Sequence, residues 1–335
     1  MSIKGLITSD LHFTDNPRDS YRFIRFEEIL EKAFTLYPDI NTLFILGDLT
    51  EKKNNHSDIL VNSIVNLLCK IVKNYGIEIH ILKGNHDVAG HIPYFNFLNH
   101  IPKIYFYKDV VKWMAENIWM VPHQRDSWLD EETVQEINKQ DQSVVFCHQT
   151  FSGFRYENGI VAEGMALPQF DKRHLIVSGD LHVPQGIYVG SPWHVDFADS
   201  FVPRVQVMYK NKDNMYVLAD IDLGEYCDKF QVEITSLKDL SRLKSIKENS
   251  VVKIKLNIPQ EELSGLNILQ EQIRELSAKN NFLLHTVEVV VQQTPEKAVK
   301  KKREKEISDV DLIKHHVREK GLGQEMEDMG IAIIG

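Results

Sequence analysis

The stretch ILKGNHD, residues 81–87, passes directly from apolar side chains to Gly, Asn, His and Asp. Gly and Asn are common turn residues and Asp can hydrogen-bond its own backbone, so one interpretation is a sharp turn. The other is a site for metal and phosphate, because open α/β sheets place their chemistry at the carboxyl ends of strands. The rest of the chain decides between these two interpretations.

Length and composition restrict the class of protein. The chain has 335 residues, of which 43% are hydrophobic and 26% charged, as in ordinary globular proteins, and about 150 residues per domain suggests two domains. No apolar run approaches the roughly 18 residues of a membrane span, and the start of the chain lacks a secretory h-region. Three widely spaced cysteines suit a reducing compartment. We therefore expect a cytoplasmic protein without membrane contact.

Residues 1–222 alternate short apolar runs with helical patterns, which predicts strands buried on both faces and covered by helices. So many short strands exceed what one open sheet needs, so we predict two sheets packed face to face. The predicted strands are KGLITS, NTLFILGD, IEIHILKGNHD, NIWMVP, QSVVFCH, HLIVSGD, QGIYVGSP and a stretch around NMYVLADIDL.

Residues 223–293 have a different pattern. KFQVEIT, VVKIKLNI and TVEVVVQ alternate apolar with polar residues, as half-buried strands do. An amphipathic helix is predicted between the last two, starting near Pro259. We expect a small α+β domain, then a charged linker at 294–306 and a helical segment at 307–335. Ser308 is a good helix cap, and the short apolar stripe after it is expected to pack onto a partner.

Polar donors recur at five predicted strand ends. A lone His or Asp there is more often a satisfied turn or core residue than a ligand. Burying many such groups together without a cation would be costly, however, so the repetition favours a metal site. The seven candidate donors are Asp10, His12, Asp48, Asn85, His148, Asp180 and His182.

The donor types indicate the metal. Imidazole and carboxylate without thiolate suit manganese, iron or zinc. Seven donors exceed one protein shell that must also admit substrate, so two ions sharing a carboxylate fit better. Cys147 precedes His148, and strand alternation should direct its side chain into the core on the opposite face.

The ordered blocks DLH, GDLTE, GNHD, CHQ and GDLH resemble the signature of the calcineurin-like metallophosphoesterases. With YVGSPWHVDFAD, the small α+β domain and the terminal helix, the chain resembles the SbcD-type DNA repair nucleases and their bacteriophage counterparts. The resemblance implies a four-layer α/β/β/α sandwich with an α+β capping domain and a C-terminal helix that binds a partner.

The resemblance also implies roles for the donors. Asp10, His12 and His182 would hold one ion, Asp48 would bridge, and the remaining three donors, Asn85, His148 and Asp180, would hold the other. The family usually has GHxH in the last block, whereas this chain has GDLH at 179–182, so a carboxylate replaces an imidazole there. His86 matches a phosphate-contacting histidine that serves in catalysis. Glu51 matches an acidic or imidazole partner that could orient or charge His86.

A local basic segment offers a contact for DNA. Six basic and two acidic residues lie between Lys238 and Lys255, although the formal net charge of the chain is -9. Lys253 and Lys255 share the wet face of a predicted strand, which alone is more typical of a solvated surface. Beside a phosphodiesterase site it suits a DNA backbone. Lys244 and Lys247 complete the candidate contacts.

The expected function is that of a nuclease subunit with exonuclease and endonuclease action on DNA. The resemblance implies two divalent ions, manganese first with magnesium or others as alternatives, a homodimer, and an SbcC-type coiled-coil ATPase bound by the C-terminal helix. A phage-encoded version would act in the host cytoplasm. Two alternatives stay open, a phosphodiesterase for small molecules or nucleotides and an inactive binding scaffold.

Overall fold

The computed structural model describes residues 4–89, 92–113, 116–125, 128–197, 199–223, 229–248 and 250–292. The predicted linker at 294–306 and helical segment at 307–335 lie outside the described residues. Within the described part, no helix is long and apolar enough to cross a membrane. Residues 4–257 and 265–290 of this part belong to one compact unit, and 258–264 with 291–292 to a second.

The strands and helices follow the βα alternation that the sequence predicts. The strands are β1 (Gly5–Thr8), β2 (Thr42–Ile45), β3 (Glu78–Leu82), β4 (Val88–Ala89), β5 (Ile92–Pro93), β6 (Ile104–Tyr107), β7 (Val111–Trp113), β8 (Ile118–Val121), β9 (Val144–His148), β10 (Leu175–Gly179), β11 (Arg204–Lys210), β12 (Tyr216–Asp222), β13 (Lys229–Ile234), β14 (Val251–Pro259) and β15 (Leu283–Gln292). The α-helices are α1 (Tyr21–Leu36), α2 (Asp58–Tyr75), α3 (Glu131–Asn138) and α4 (Leu266–Asn280), and 3₁₀ segments span Tyr94–His100, Leu237–Ser245 and Gln260–Gly265.

Two mixed sheets form the centre of the fold. The first has the order β12-β11-β1-β2-β3-β6, and β11 runs antiparallel to β1 and β12 while the other neighbours are parallel. The second has the order β10-β9-β8-β7, with only β7 antiparallel to its neighbour. The buried apolar strands GLIT and TLFI explain the central position of β1 and β2, because parallel strands are covered on both faces.

Three apolar layers show how the sheets pack. Phe44 of the first sheet and Phe146 of the second lie in one buried cluster between them, with ring centroids 4.5 Å apart. The outer face of the first sheet packs against α1 and α2, and that of the second against α3. The prediction of two sheets packed face to face is therefore confirmed. Cys147 lies in the outer cluster of the second sheet, as strand alternation predicted.

Two local predictions were wrong. QGIYVGSP forms isolated bridges rather than a strand, because Gly186 and Gly190 have φ of +49° and +79° and turn the chain. Conversely, β6, β7 and β11 of the two sheets were not predicted. Pro259 ends β14 rather than starting the helix, and α4 begins only at Leu266, after a 3₁₀ turn.

An α+β module follows the two sheets. The strands β13, β14 and β15 form a three-stranded sheet in that order, with β13 and β14 parallel. Leu269 and Ile273 of α4 are buried, which explains the apolar spacing of this helix. We refer to β13, β14, β15 and α4 as the module.

Candidate metal centre

Loops at the carboxyl ends of five strands carry the predicted donors. Asp10 and His12 follow β1, Asp48 follows β2, and Asn85 follows β3. His148 is the last residue of β9, and Asp180 with His182 follows β10. Because parallel strands end at the same edge of their sheet, both sheets present these donors on one side.

The backbone at these positions is unusual. Asp10, His12, Asp48 and Asp180 have φ of +53°, +45°, +52° and +87°, in the left-handed region that non-glycine residues seldom adopt. Strand alternation does not set the directions of Asp10 and His12, because β1 ends at Thr8. Both side chains reach the site because the chain is bent there, and such strain is typical of functional sites.

The side chains of the loops converge into three overlapping groups. Donor atoms lie within 4.8 Å of one another in the groups Asp10, His12 and His182; His12, Asp48 and His86; and Asp10, Asp48 and His148. The groups share Asp10, His12 and Asp48 pairwise, so the cluster is continuous. Asn85 and Asp180 adjoin it, since Asn85 Nδ2 donates to Asp180 Oδ1 at 3.3 Å and His148 Nε2 lies 3.6 Å from that same oxygen. The structure therefore brings all seven predicted donors together.

Hydrogen bonds to the outer ring nitrogens fix how two histidines face the cluster. His148 Nδ1 donates to the carbonyl of Leu46 at 2.5 Å, which directs its Nε2 toward Asp48 Oδ1 at 3.4 Å. His182 Nδ1 lies 3.1 Å from Glu157 Oε1, which leaves its Nε2 3.0 Å from His12 Nε2. Both Nε2 atoms therefore face the cluster, which is the orientation in which an imidazole binds a metal ion.

Asn85 supplies a further sign of a cation. Its Oδ1 is buried without a hydrogen-bond partner among the described residues. A buried amide oxygen without a partner costs free energy, and oxygen atoms of this kind are suitable ligands for divalent ions. The residues present therefore fit a pair of divalent cations.

Burial and the proximity of other charged groups shift the pKa values of the residues in the cluster. Burial raises the pKa of Asp10 to about 6, against the opposing effect of His148 and His182. Burial also acts to raise the pKa of Asp48, but His148 and His12 outweigh it and hold that pKa below its usual range. Burial and the nearby His182 hold the pKa of His12 well below its ordinary value, which favours the neutral imidazole that binds metals.

Close packing between loops requires glycine beside the donors. A Cβ at Gly84 would lie 2.1 Å from Asp48 Oδ1, and one at Gly179 would lie 1.9 Å from Ser9 Oγ. Gly84 is the glycine of the GNHD block, so its role is to let the β2 and β3 loops touch. Asp87 then joins them, because its carboxylate accepts from Leu49 N at 3.0 Å and Gly84 N at 2.8 Å.

His86 belongs to one of the three groups and lies next to Asp48 and His12. Its backbone N–H donates to Asp48 Oδ1 at 2.9 Å, and its ring lies edge-to-face with that of His12 at 5.1 Å. Its Nδ1 lies 2.6 Å from the backbone oxygen of Glu51. The carboxylate of Glu51 instead accepts from Arg22 at 3.1 Å. The main chain of Glu51, and not its side chain, therefore orients His86.

Three residues that contact the donors were not singled out from the sequence. Glu157 faces His182, Thr150 Oγ1 donates to Asp180, and Arg22 donates to the carbonyl of His12. Each lies in a different segment from its partner, and a single sequence carries no local signal for such pairs.

The predicted DNA contacts lie elsewhere, on β14 and on the segment that connects β13 to β14. Lys253 and Lys255 occupy the half-exposed face of β14, as the alternation predicted. Each is near a carboxylate: Lys253 Nζ lies 2.8 Å from Glu288 and Lys255 Nζ 3.6 Å from Glu233. Lys244 and Lys247 are exposed. These four residues are not part of the metal cluster.

Comparison with known proteins agrees with this site. No curated protein sequence matches the chain. The crystal structure of Vps29 from Chaetomium thermophilum is similar at 16% identity and a TM-score of 0.22, covering 67% of this chain and 96% of that chain. A likeness of that degree carries no argument about function. The family model of the calcineurin-like phosphoesterases matches residues 3–184, the segment that supplies all seven donors. The chain therefore belongs to the calcineurin-like phosphoesterase family.

Proposed function

We propose that the chain is the nuclease subunit of an SbcCD-type DNA repair and recombination complex, and that it hydrolyses DNA phosphodiester bonds with two divalent ions. The observation that carries the hydrolytic part is the convergence of the seven donors, with Asp48 between His12 and His148. A complete donor set argues against an inactive scaffold.

The side chains divide the work by position. Asp10, His12 and His182 would hold one ion, Asn85, His148 and Asp180 the other, and Asp48 would contact both. Manganese is the expected metal. The ions would lower the pKa of bound water and neutralise charge on the phosphoryl group.

His86 has the catalytic role in this proposal. Its Nδ1 is engaged with the Glu51 carbonyl, so Nε2 is the atom available to hydrogen-bond or protonate the leaving oxygen. Asp87 and Gly84 hold the loop that carries it.

The DNA and partner assignments rest on the sequence resemblance and on the module. Its β14 face carries Lys253 and Lys255, and the nearby 3₁₀ segment Leu237–Ser245 carries Lys244. We propose that this face contacts the DNA backbone and acts as the capping domain. The homodimer, and the binding of a coiled-coil ATPase by residues 307–335, belong to the same proposal.

One observation favours a second candidate, a phosphodiesterase for small molecules or nucleotides. Glu288 and Glu233 offset the charge of Lys253 and Lys255, which weakens the attraction of that face for a polyanion. Salt dependence distinguishes the two candidates. A nuclease that touches several phosphates should lose DNA affinity steeply as salt rises, whereas a small-molecule enzyme should not bind duplex.

The decisive experiment incubates purified protein and Mn²⁺ with end-labelled duplex and, separately, with bis(p-nitrophenyl) phosphate. Cleavage of both, abolished by Asp48→Asn, supports the nuclease. Cleavage of the small ester alone, with and without an SbcC-type ATPase, supports the second candidate. Two bound ions without hydrolysis of either substrate would contradict both.

A further inference from the structure

A buried chain of charges runs from the module to the metal centre. Arg22 in α1 is only 2% exposed, and its Nη1 donates both to the backbone oxygen of His12 and to Glu51 Oε2, the latter at 3.1 Å. The same guanidinium lies 3.7 Å from Asp19 Oδ1. Arg22 therefore connects the loop that carries His12 to Asp19.

Asp19 in turn contacts the module. Lys229, the first residue of β13, is buried and directs its Nζ to Asp19 Oδ1 at 3.3 Å. His285 of β15 places Nε2 3.5 Å from Asp19 Oδ2. Asp19 is itself buried, so two of the three strands of the module, β13 and β15, reach one desolvated carboxylate.

The surroundings of Lys229 make these contacts specific. Its Nζ also donates to the backbone oxygen of Val195 at 2.7 Å and lies 5.1 Å from the ring of Phe197. The Phe197 ring meets that of His285 edge-to-face at 5.0 Å. Buried charges are costly unless each is paired, so these groups cannot move apart independently without leaving a charge unsatisfied.

We propose that Asp19 and Arg22 are positioning residues. They couple the position of the module to the geometry of the ion site that Asp10, His12 and His182 form. This inference rests on the proposed two-metal function. Arg22 fixes the main chain of His12 and the carboxylate of Glu51. Within the described part of the chain, no hydrogen bond or ion pair joins Asp19, Arg22, Lys229 or His285 to Asn85, His148 or Asp180. A substrate that displaces β13 or β15 would therefore act first on the ion site that contains His12.

Coupling of this kind is reciprocal, since two linked sites change each other by the same factor. Filling the ion site should stabilise the contacts of Lys229, and loosening Lys229 should weaken the ion site. Both directions can be measured without any substrate.

The first test is Mn²⁺ binding by isothermal titration calorimetry to the full chain. Arg22→Gln should lower the affinity for one of the two Mn²⁺ ions by about 10-fold to 100-fold, which is the usual effect of losing a residue that orients a metal ligand. Arg22→Lys should recover part of the loss because it retains the charge. The control is Arg25→Gln, which removes a buried arginine one turn further along α1 that pairs with Glu28 at 2.5 Å. Wild-type affinity for both ions in Arg22→Gln would overturn the proposal.

The second test is amide hydrogen exchange of β13 with and without Mn²⁺. Mn²⁺ should slow exchange in the wild-type protein and should have no such effect in Lys229→Met, which keeps the length of the side chain. Equal protection by Mn²⁺ in both proteins would overturn the coupling, and so would its absence in the wild type. This variant carries the test if Arg22→Gln fails to fold.

The two proposals fail in different ways. A wild-type protein that binds two ions but cleaves no phosphodiester would remove the proposed function, while the calorimetry and the exchange would still measure the coupling. An active enzyme whose Arg22→Gln variant binds both ions normally would remove only the inference.

Discussion

The carboxylate of Glu157 lies 3.1 Å from Nδ1 of His182, on the side of the ring away from the metal cluster. Burial acts to lower the pKa of His182, but this hydrogen bond and the charge of Asp10 outweigh it and raise that pKa to about 9. Glu157 therefore fixes the tautomer of His182 and makes its Nε2 a stronger base.

Glu157→Gln should weaken the binding of one divalent ion by about 10-fold, because an amide orients the imidazole but carries no charge. Calorimetric titration with Mn²⁺ measures this, with Glu163→Gln as the control, an exposed glutamate on the same connection. An unchanged affinity would show that Glu157 has no influence on the ion site.

His86→Ala should retain both ions and lose roughly 10²-fold to 10⁴-fold in the rate of phosphodiester hydrolysis, as expected for a proton donor. The metal content and the rate are measured on the same preparation. His100→Ala, an exposed histidine at the end of the 3₁₀ segment Tyr94–His100, is the control. Loss of an ion in His86→Ala would make His86 a ligand instead.

Asp87→Asn should destabilise the fold by about 1–3 kcal/mol. One of the two backbone N–H groups that donate to Asp87 would then face an amide nitrogen and lie buried without an acceptor. Urea unfolding measures the change. Asp213→Asn, at an exposed turn, should leave stability unaltered. Equal urea midpoints for the two variants would show that the hydrogen bonds accepted by Asp87 contribute nothing to stability.

Stability should also depend on pH through His80, which is remote from the donors. Burial lowers the pKa of His80 from 6.5 to about 4, with Nδ1 2.8 Å from the hydroxyl of Tyr107 and the ring stacked near Trp113. Between these two pH values the unfolded chain binds more protons at His80 than the folded protein does. The contribution of His80 to the free energy of unfolding is therefore fully present above about pH 6.5 and is lost as the pH falls to about 4.

The loss attributable to His80 is about 2–3 kcal/mol across that range. Urea unfolding at pH 7 and pH 5 should show it in the wild type, and His80→Gln, which does not titrate, should show a smaller difference between the two pH values. An identical pH dependence in the two proteins would contradict the assignment to His80.

The sequence predicted the donors because each stands where an apolar run gives way to a carboxylate, amide or imidazole, and strand ends meet in space. Glu157 and Arg22 escaped prediction for the opposite reason. Their partners, His182 and His12, are held from other segments of the chain, and each residue resembles an ordinary loop or helix position.

The secondary structure also divides into parts that the local sequence predicts and parts that it does not. The apolar run of β1 is sufficient to predict a strand. QGIYVGSP has the composition of a strand, but Gly186 and Gly190 have positive φ values that bend the chain. Pro259 is suited to the start of a helix in isolation. In the structure it is the last residue of β14, and α4 begins only at Leu266.

The left-handed backbone at Asp10, Asp48 and Asp180 has a practical consequence for anyone who wants a folded but inert version of this enzyme. Asparagine tolerates that conformation far better than alanine, and it keeps the shape of the side chain. Alanine at these positions would mix a folding defect with the chemical one. Asparagine separates the two and is the replacement to choose for trapping uncleaved substrate.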